Sequence, residues 1–147
     1  NFCKKIEKAS NSKVSDDFLI VARIESLILG KSVNDALKRA EVYSQAGADA
    51  ILIHSKEKKP TEVFNFVKKF KNSKYYKPMI AVPSTYSVTK EKDLIREGIK
   101  VVIYANHFLR AAYPAIMSVA KDILKNQRSF EVEKRIAPIK EILNLIN

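Results

Sequence analysis

Phe18 to Glu25 (FLIVARIE) and Gly47 to Lys56 (GADAILIHSK) are two apolar runs, and each ends in a polar side chain suited to an anion: Arg23 in the first, His54 in the second. A strand buried in a parallel sheet reads as a nearly continuous apolar run. A polar residue where such a run stops lies at the carboxyl edge of the sheet, where α/β enzymes build their sites. The two runs therefore decide the fold class and the first place to look for chemistry.

Met79 to Pro83 and Val101 to Ala105 read as two further strands, rich in Val and Ile. Helical patterns lie between. Ser32 to Asp35 (SVND) has the form of a capping box, and the stripe Val33, Ala36, Leu37, Ala40 and Tyr43 follows until Gly47 can end the helix. Thr61 is expected to cap a second helix with the stripe Val63, Phe66, Val67 and Phe70, and Gly98 to close a third over Thr89 to Glu97. Beyond the last strand the pattern predicts a short helical segment, Asn106 to Tyr113, and a second helix from Pro114 to about Asn126. A final helix over Val132 to Ile146 should be bent or delayed by Pro138. Phe2, Ile6 and Ala9 point to a helix already under way, and with no initiator Met we expect a larger parent protein.

Strand and helix alternate, which demands a parallel sheet with right-handed crossovers. The strands start at positions 18, 48, 79 and 101, a spacing that fits either an open doubly wound sheet or part of an eight-stranded barrel. A full barrel needs about 250 residues. The 147 residues here would hold half of one.

That length, with 46% hydrophobic residues, supports one core, so residues 1–147 are expected to form a single unit. A lone Cys3 excludes an internal disulfide and a Cys-rich zinc site, and suits a reducing compartment. No apolar stretch matches a bilayer, and Asn1 to Ser10 carries Lys and Glu where a signal peptide needs an apolar centre. A cytoplasmic protein without a membrane partner is expected. The net charge of +11 raises nucleic-acid binding, as Lys68, Lys69, Lys71, Lys74 and Lys77 surround Phe70, Tyr75 and Tyr76. The lysines are nevertheless scattered over several elements without a helix-turn-helix or aromatic RNA-binding signature, and they read as a solvated face.

Gly30-Lys31-Ser32 after a strand resembles the end of a phosphate loop, but the first glycine of that motif would fall at Glu25, and Leu27, Ile28 and Leu29 are too bulky to wrap a nucleotide. With only Gly30, Gly47 and Gly98 in the chain, a dinucleotide fingerprint is excluded. His54 and His107 lack zinc-helix spacing, and Glu25 is the one carboxylate at a strand end. What survives is Arg23 and His54, with Ser55, Lys56, Ser84, Asn106 and His107 near equivalent ends. A guanidinium offers a planar fork to phosphoryl oxygens, and an imidazole adds a hydrogen bond or a charge. The structural alternative for Arg23 is an ion pair with Glu25; Asn106 and His107 could equally cap the next helix.

Val21 to Ser26 (VARIES), Asp35 to Ala50 (DALKRAEVYSQAGADA), Ile51 to Lys56 (ILIHSK), Val82-Pro83 and Tyr104 to Arg110 (YANHFLR) resemble the carboxyl-terminal half of the phosphoenolpyruvate mutase family, in the isocitrate lyase superfamily. The resemblance runs from Asp17 onward. His54-Ser55-Lys56 is its sharpest part, because lyase members of the superfamily are expected to carry a glutamate near the His54 position. It implies the C-terminal half of a TIM-type (β/α)8 barrel with extra C-terminal helices that pack against or swap with a partner subunit in a homo-oligomer. It also implies a magnesium-dependent isomerase that rearranges phosphoenolpyruvate into phosphonopyruvate. Arg23 and His54 would be catalytic, and with Ser55 would bind the substrate. Magnesium ligands would come from the missing amino-terminal half, none being in this segment, which alone should lack full activity. Phosphonopyruvate hydrolase, a carbon-carbon lyase of the same superfamily and a non-catalytic half-barrel for binding or self-association are the competing readings.

Overall fold

The computed structural model describes residues 2–145. Strands β1 (Val21–Ile24), β2 (Ala50–Ile53), β3 (Met79–Ala81) and β4 (Ile99–Val102) form one parallel sheet in the order β1-β2-β3-β4. Helix α1 (Phe2–Asn11) precedes it, and α2 (Val33–Gln45), α3 (Thr61–Phe70) and α4 (Glu91–Glu97) connect the strands. Spatial order follows chain order without a reversal. Right-handed crossovers then carry every connecting helix to the same face, so the doubly wound alternative falls and the barrel-type arrangement stands.

The chain divides into two compact units, Asn1–Ala105 and Asn106–Asn147, where the length argument expects one. The second holds α5 (His107–Asn126), a 3-10 turn (Glu133–Arg135) and α6 (Ile139–Asn144). Neither helix has a buried residue. Phe108, Leu109, Tyr113, Ile116 and Leu124 of α5 are all exposed. No helix of the described residues is long and apolar enough to cross a membrane.

The helix-side face of the sheet makes the main core. Ala22 and Ile24 of β1, Ile51 and Ile53 of β2 and Met79 and Ala81 of β3 meet Ala36 and Ala40 of α2 and Val63, Phe66, Val67 and Phe70 of α3. The α3 side chains are fully buried, each contributing about 1.5–3 kcal/mol of hydrophobic stabilisation. Phe66 stacks on Phe70 at 5.6 Å, and Phe70 packs on Tyr76. The aromatic at the centre of the lysine-rich stretch is thus core rather than a stacking platform for bases.

The local differences from expectation have physical causes. Ser32 caps α2, its hydroxyl accepting from the Asp35 N–H at 3.2 Å, but the Asp35 carboxylate turns to Ser26 and Arg39 instead of completing the box. Thr61 is the first residue of α3, one position too far into the helix to cap it, and Pro60 takes the cap position. Gly98 closes α4 as expected at φ 106°, a left-handed conformation favouring glycine, and leads directly into β4, which begins at Ile99 rather than Val101. Pro114 does not divide the α5 region: one helix runs through it, because proline's fixed φ suits a helix and only one hydrogen bond is lost. Pro138 delays the last helix as expected, to Ile139; Ile146 lies outside the described residues.

The Gly-Ala-Asp-Ala motif acquires a structural role. The Asp49 carboxylate accepts from Lys13 Nζ at 2.6 Å and from the Ile20 N–H at 2.7 Å, fixing the entry of β1 against that of β2. Partial burial raises its pKa, but the Lys13 and Ile20 donors outweigh this and hold it below the usual aspartate value. A depressed folded-state pKa gives stability that is present above the unfolded value, near pH 4, and lost as pH falls through the folded one. Asp49→Asn should therefore cost about 1 kcal/mol at neutral pH. In urea melts the gap between variant and wild type should close as the pH falls below about 4.

Candidate active site

Alternation along β1 turns Ala22 and Ile24 into the helix-side core and Arg23 to the opposite face. The parallel register sets Arg23 beside Leu52, and Leu52 packs on that face with Ala50, Ile80 and Val82. His54 and Glu25 lie two residues beyond Leu52 and Arg23, so they continue the same face past the ends of their strands. A small apolar patch is thereby crowned by three polar side chains at the carboxyl edge.

Arg23 Nη2 approaches His54 Nδ1 at 2.7 Å, and Arg23 Nε donates to Glu25 Oε1. Glu25 Oε2 lies 3.5 Å from the same His54 Nδ1. The expected site pair is brought together, and the ion pair with Glu25 forms alongside it rather than instead of it. A guanidinium has no acceptor, so Nδ1 must accept from Arg23 and the neutral imidazole carries its proton on Nε2. Burial raises the Glu25 pKa, but the hydrogen bond and charge of Arg23 outweigh this and hold the carboxyl below its usual value. The Arg23 side chain is still half exposed, at 51%, and its Nη1 has no protein partner among the described residues.

Ser55 is placed differently. It is fully buried; its hydroxyl donates to Glu62 of α3 and accepts from the Glu57 N–H at 3.0 Å, while its carbonyl accepts from Thr85 at 3.0 Å. These bonds tie the β2–α3 loop to α3 and to the β3–α4 loop, which Tyr86 anchors in the core. Lys56 is exposed and Ser84 half-buried. Asn106 takes the cap position of α5 without a side-chain cap bond, and both it and His107 belong to the second unit.

Arg23 and Glu25 also border a cavity of about 310 Å³ between α1, α2 and the β1–α2 loop. Ser26 Oγ donates to Asp35 at 2.6 Å and Arg39 Nε to the same carboxylate at 2.8 Å, which pins that loop and depresses the Asp35 pKa, Ser26 being the larger cause.

Glu25, Glu62 and Thr85 were not among the expected site residues. Arg-x-Glu at a strand end was a usable signal for Glu25, since residues two apart share a face. No local pattern linked Ser55 to Glu62 or Thr85. Among the described residues no group of three His, Cys, Asp or Glu could hold a metal, and both oxygens of Glu25 face cationic or potentially cationic groups. The described residues do not fit a magnesium site.

Four parallel strands wound in chain order, with polar side chains gathered at their carboxyl ends, define a segment of an α/β-barrel protein. The chain belongs to the phosphoenolpyruvate phosphomutase family, whose model matches residues 1–124. It is 39% identical over 144 residues to the phosphoenolpyruvate phosphomutase of Tetrahymena pyriformis, covering 98% of this chain and 47% of that protein. It superposes with a TM-score of 0.87 and 40% identity on a crystal structure of phosphoenolpyruvate phosphomutase from Streptomyces platensis subsp. rosaceus, covering 98% of this chain and 49% of that one. A crystal structure of phosphonopyruvate hydrolase in complex with oxalate and Mg++ matches with a TM-score of 0.86 and 37% identity, over 98% of this chain and 50% of the other. The chain thus spans about half the length of the relatives it matches.

Ser55→Ala should destabilise the first unit by about 1–3 kcal/mol, because it leaves the Glu57 N–H and the Glu62 carboxylate without their buried partner. Thermal or urea unfolding measures this loss.

Proposed function

We propose that this chain supplies the phosphoryl-holding half of a phosphoenolpyruvate mutase, an isomerase that interconverts phosphoenolpyruvate and phosphonopyruvate and thereby serves phosphonate biosynthesis. The observation that carries the reading is the approach of Arg23 to His54 at 2.7 Å, at the carboxyl edge of parallel strands. The rearrangement breaks the bond between phosphorus and the enol oxygen and forms one between the same phosphorus and C3 of the resulting enolate. Such a transfer passes through a loose, metaphosphate-like state, in which positioning and charge stabilisation carry most of the catalysis. Arg23 Nη1 and the Nε2–H of His54 are the donors left for the equatorial phosphoryl oxygens. Neither residue needs to act as a nucleophile. In this reading Ser55 contributes to substrate binding through the loop it holds rather than through a free hydroxyl.

Magnesium, when bound, would neutralise charge on the substrate's oxygens, with ligands from outside this chain. A cytoplasmic setting suits a chain with a single cysteine, Cys3. The exposed apolar side chains of α5 favour a homo-oligomer formed through the C-terminal helices.

Phosphonopyruvate hydrolase is the second reading, favoured by a structural likeness as close as that to the mutase. There water takes the phosphoryl group, and the electron pair of the broken carbon-phosphorus bond returns to carbon, which gains a proton. The same Arg23 and His54 would serve. A lyase cleaving a carbon-carbon bond is disfavoured by His54, and a purely non-catalytic role by the polar group assembled at the sheet edge.

Phosphorus NMR of phosphonopyruvate incubated with magnesium and the full-length protein that carries this chain tests the proposal. Phosphoenolpyruvate should appear; inorganic phosphate would instead support the hydrolase, and no turnover would refute both. Arg23→Ala should lower the rate by about 100-fold or more with the fold intact by circular dichroism. Nearly normal turnover in that variant would refute the assigned role.

A further inference from the structure

From the three-way contact of Arg23, Glu25 and His54 we infer that Glu25 is a positioning residue that enables His54 to become an imidazolium when a phosphoryl group arrives. In the resting arrangement Arg23 Nη2 donates to His54 Nδ1 at 2.7 Å, which requires that nitrogen to be unprotonated. An imidazolium donates from both nitrogens and cannot keep this bond. A protonated Nδ1 facing a guanidinium would be both unpaired and repelled.

Glu25 removes that obstacle. Its Oε1 accepts from Arg23 Nε, and its Oε2 stands 3.5 Å from His54 Nδ1, within a small ring rotation of a charge-assisted hydrogen bond. One carboxylate thus serves both protonation states. With neutral His54 it steers the Arg23 fork; with charged His54 it takes over the Nδ1–H and frees Arg23 Nη2 for the ligand. Gaining a proton adds a positive charge beside the phosphoryl group without a new residue. Among the described residues, the charged groups that pair with the ring are Arg23 of β1 and Glu25 just beyond the end of that strand; the His54 N–H donates to the Ile24 carbonyl.

The chemistry of the ligand follows. A phosphoryl or phosphonyl group carrying close to two negative charges matches a site that can present one fixed and one acquired cation. A singly charged carboxylate would not call for the second.

The test reads the two ring nitrogens of His54 by long-range ¹H–¹⁵N correlation in the histidine-labelled full-length protein near neutral pH, assigned with His54→Asn, without and with inorganic phosphate. Wild-type His54 should show the Nε2–H tautomer alone and shift to the imidazolium pattern as phosphate is added. Glu25→Gln should hold the neutral pattern, because an amide can offer Nδ1 a donor but can no longer offer it a charged acceptor. A wild-type ring that stays neutral with phosphate, or a Glu25→Gln ring that protonates as readily as wild type, would overturn the inference.

A kinetic arm in the full-length protein rests on the mutase reading. Glu25→Gln should lower kcat by about tenfold or more while KM changes by less than about threefold, with partial rescue by Glu25→Asp. A role confined to stability would lower the melting temperature and leave the nitrogen spectra and the split between kcat and KM unmoved. Absence of turnover in the wild type would refute the mutase reading alone, since the spectroscopic arm is read without turnover.

Discussion

The parallel pairing of β1 with β2 is the constraint on which the rest depends. With Ile24 set beside Ile53, the next residues of each strand, Glu25 and His54, are neighbours, and the His54 N–H continues the ladder to the Ile24 carbonyl. A slip of one residue would turn Arg23 into the helix-side core and bring Ile24 to the edge. The register is held from both ends. Asp49 ties the entries of the two strands through Lys13 and Ile20, and the apolar alternation of Ala22 and Ile24 against Ile51 and Ile53 fixes the faces.

Function thus follows from packing at one remove. Helices α2 and α3 cover one face of the sheet with close apolar contacts, which leaves the other face to the small cluster of Ala50, Leu52, Ile80 and Val82. Polar side chains continuing that second face are not drawn into the core and remain reachable. Arg23 is restrained by Glu25 on one edge and by His54 on another, so its fork is partly organised before any ligand arrives. Organisation of this kind suits phosphoryl transfer, where placement of charge carries the work.

The elements most legible in the sequence were those whose side chains are sorted by burial. The α3 stripe of Val63, Phe66, Val67 and Phe70 and the closing Gly98 stand where their spacing placed them, because periodicity and a left-handed cap are local properties. Strand limits shifted by a few residues, since pairing rather than composition ends a strand, and Phe18 and Leu19 lie exposed ahead of β1. Pro114 was misleading for a physical reason: a proline weakens a helix by one bond without dividing it. At the site, Arg23 and His54 were readable from where apolar runs stop. The bonds from Ser55 to Glu62 and from Thr85 to Ser55 were not, because they join loops whose proximity only the assembled sheet creates.

The central claim is that Arg23 and His54 together receive a phosphoryl group. A crystal structure of the full-length, magnesium-loaded protein with phosphonopyruvate tests it most directly. The account predicts phosphonyl oxygens within hydrogen-bond distance of both the Arg23 guanidinium and His54 Nε2, with Glu25 still holding Arg23 Nε. A phosphonyl group bound elsewhere, with Arg23 and His54 closed upon each other, would contradict it.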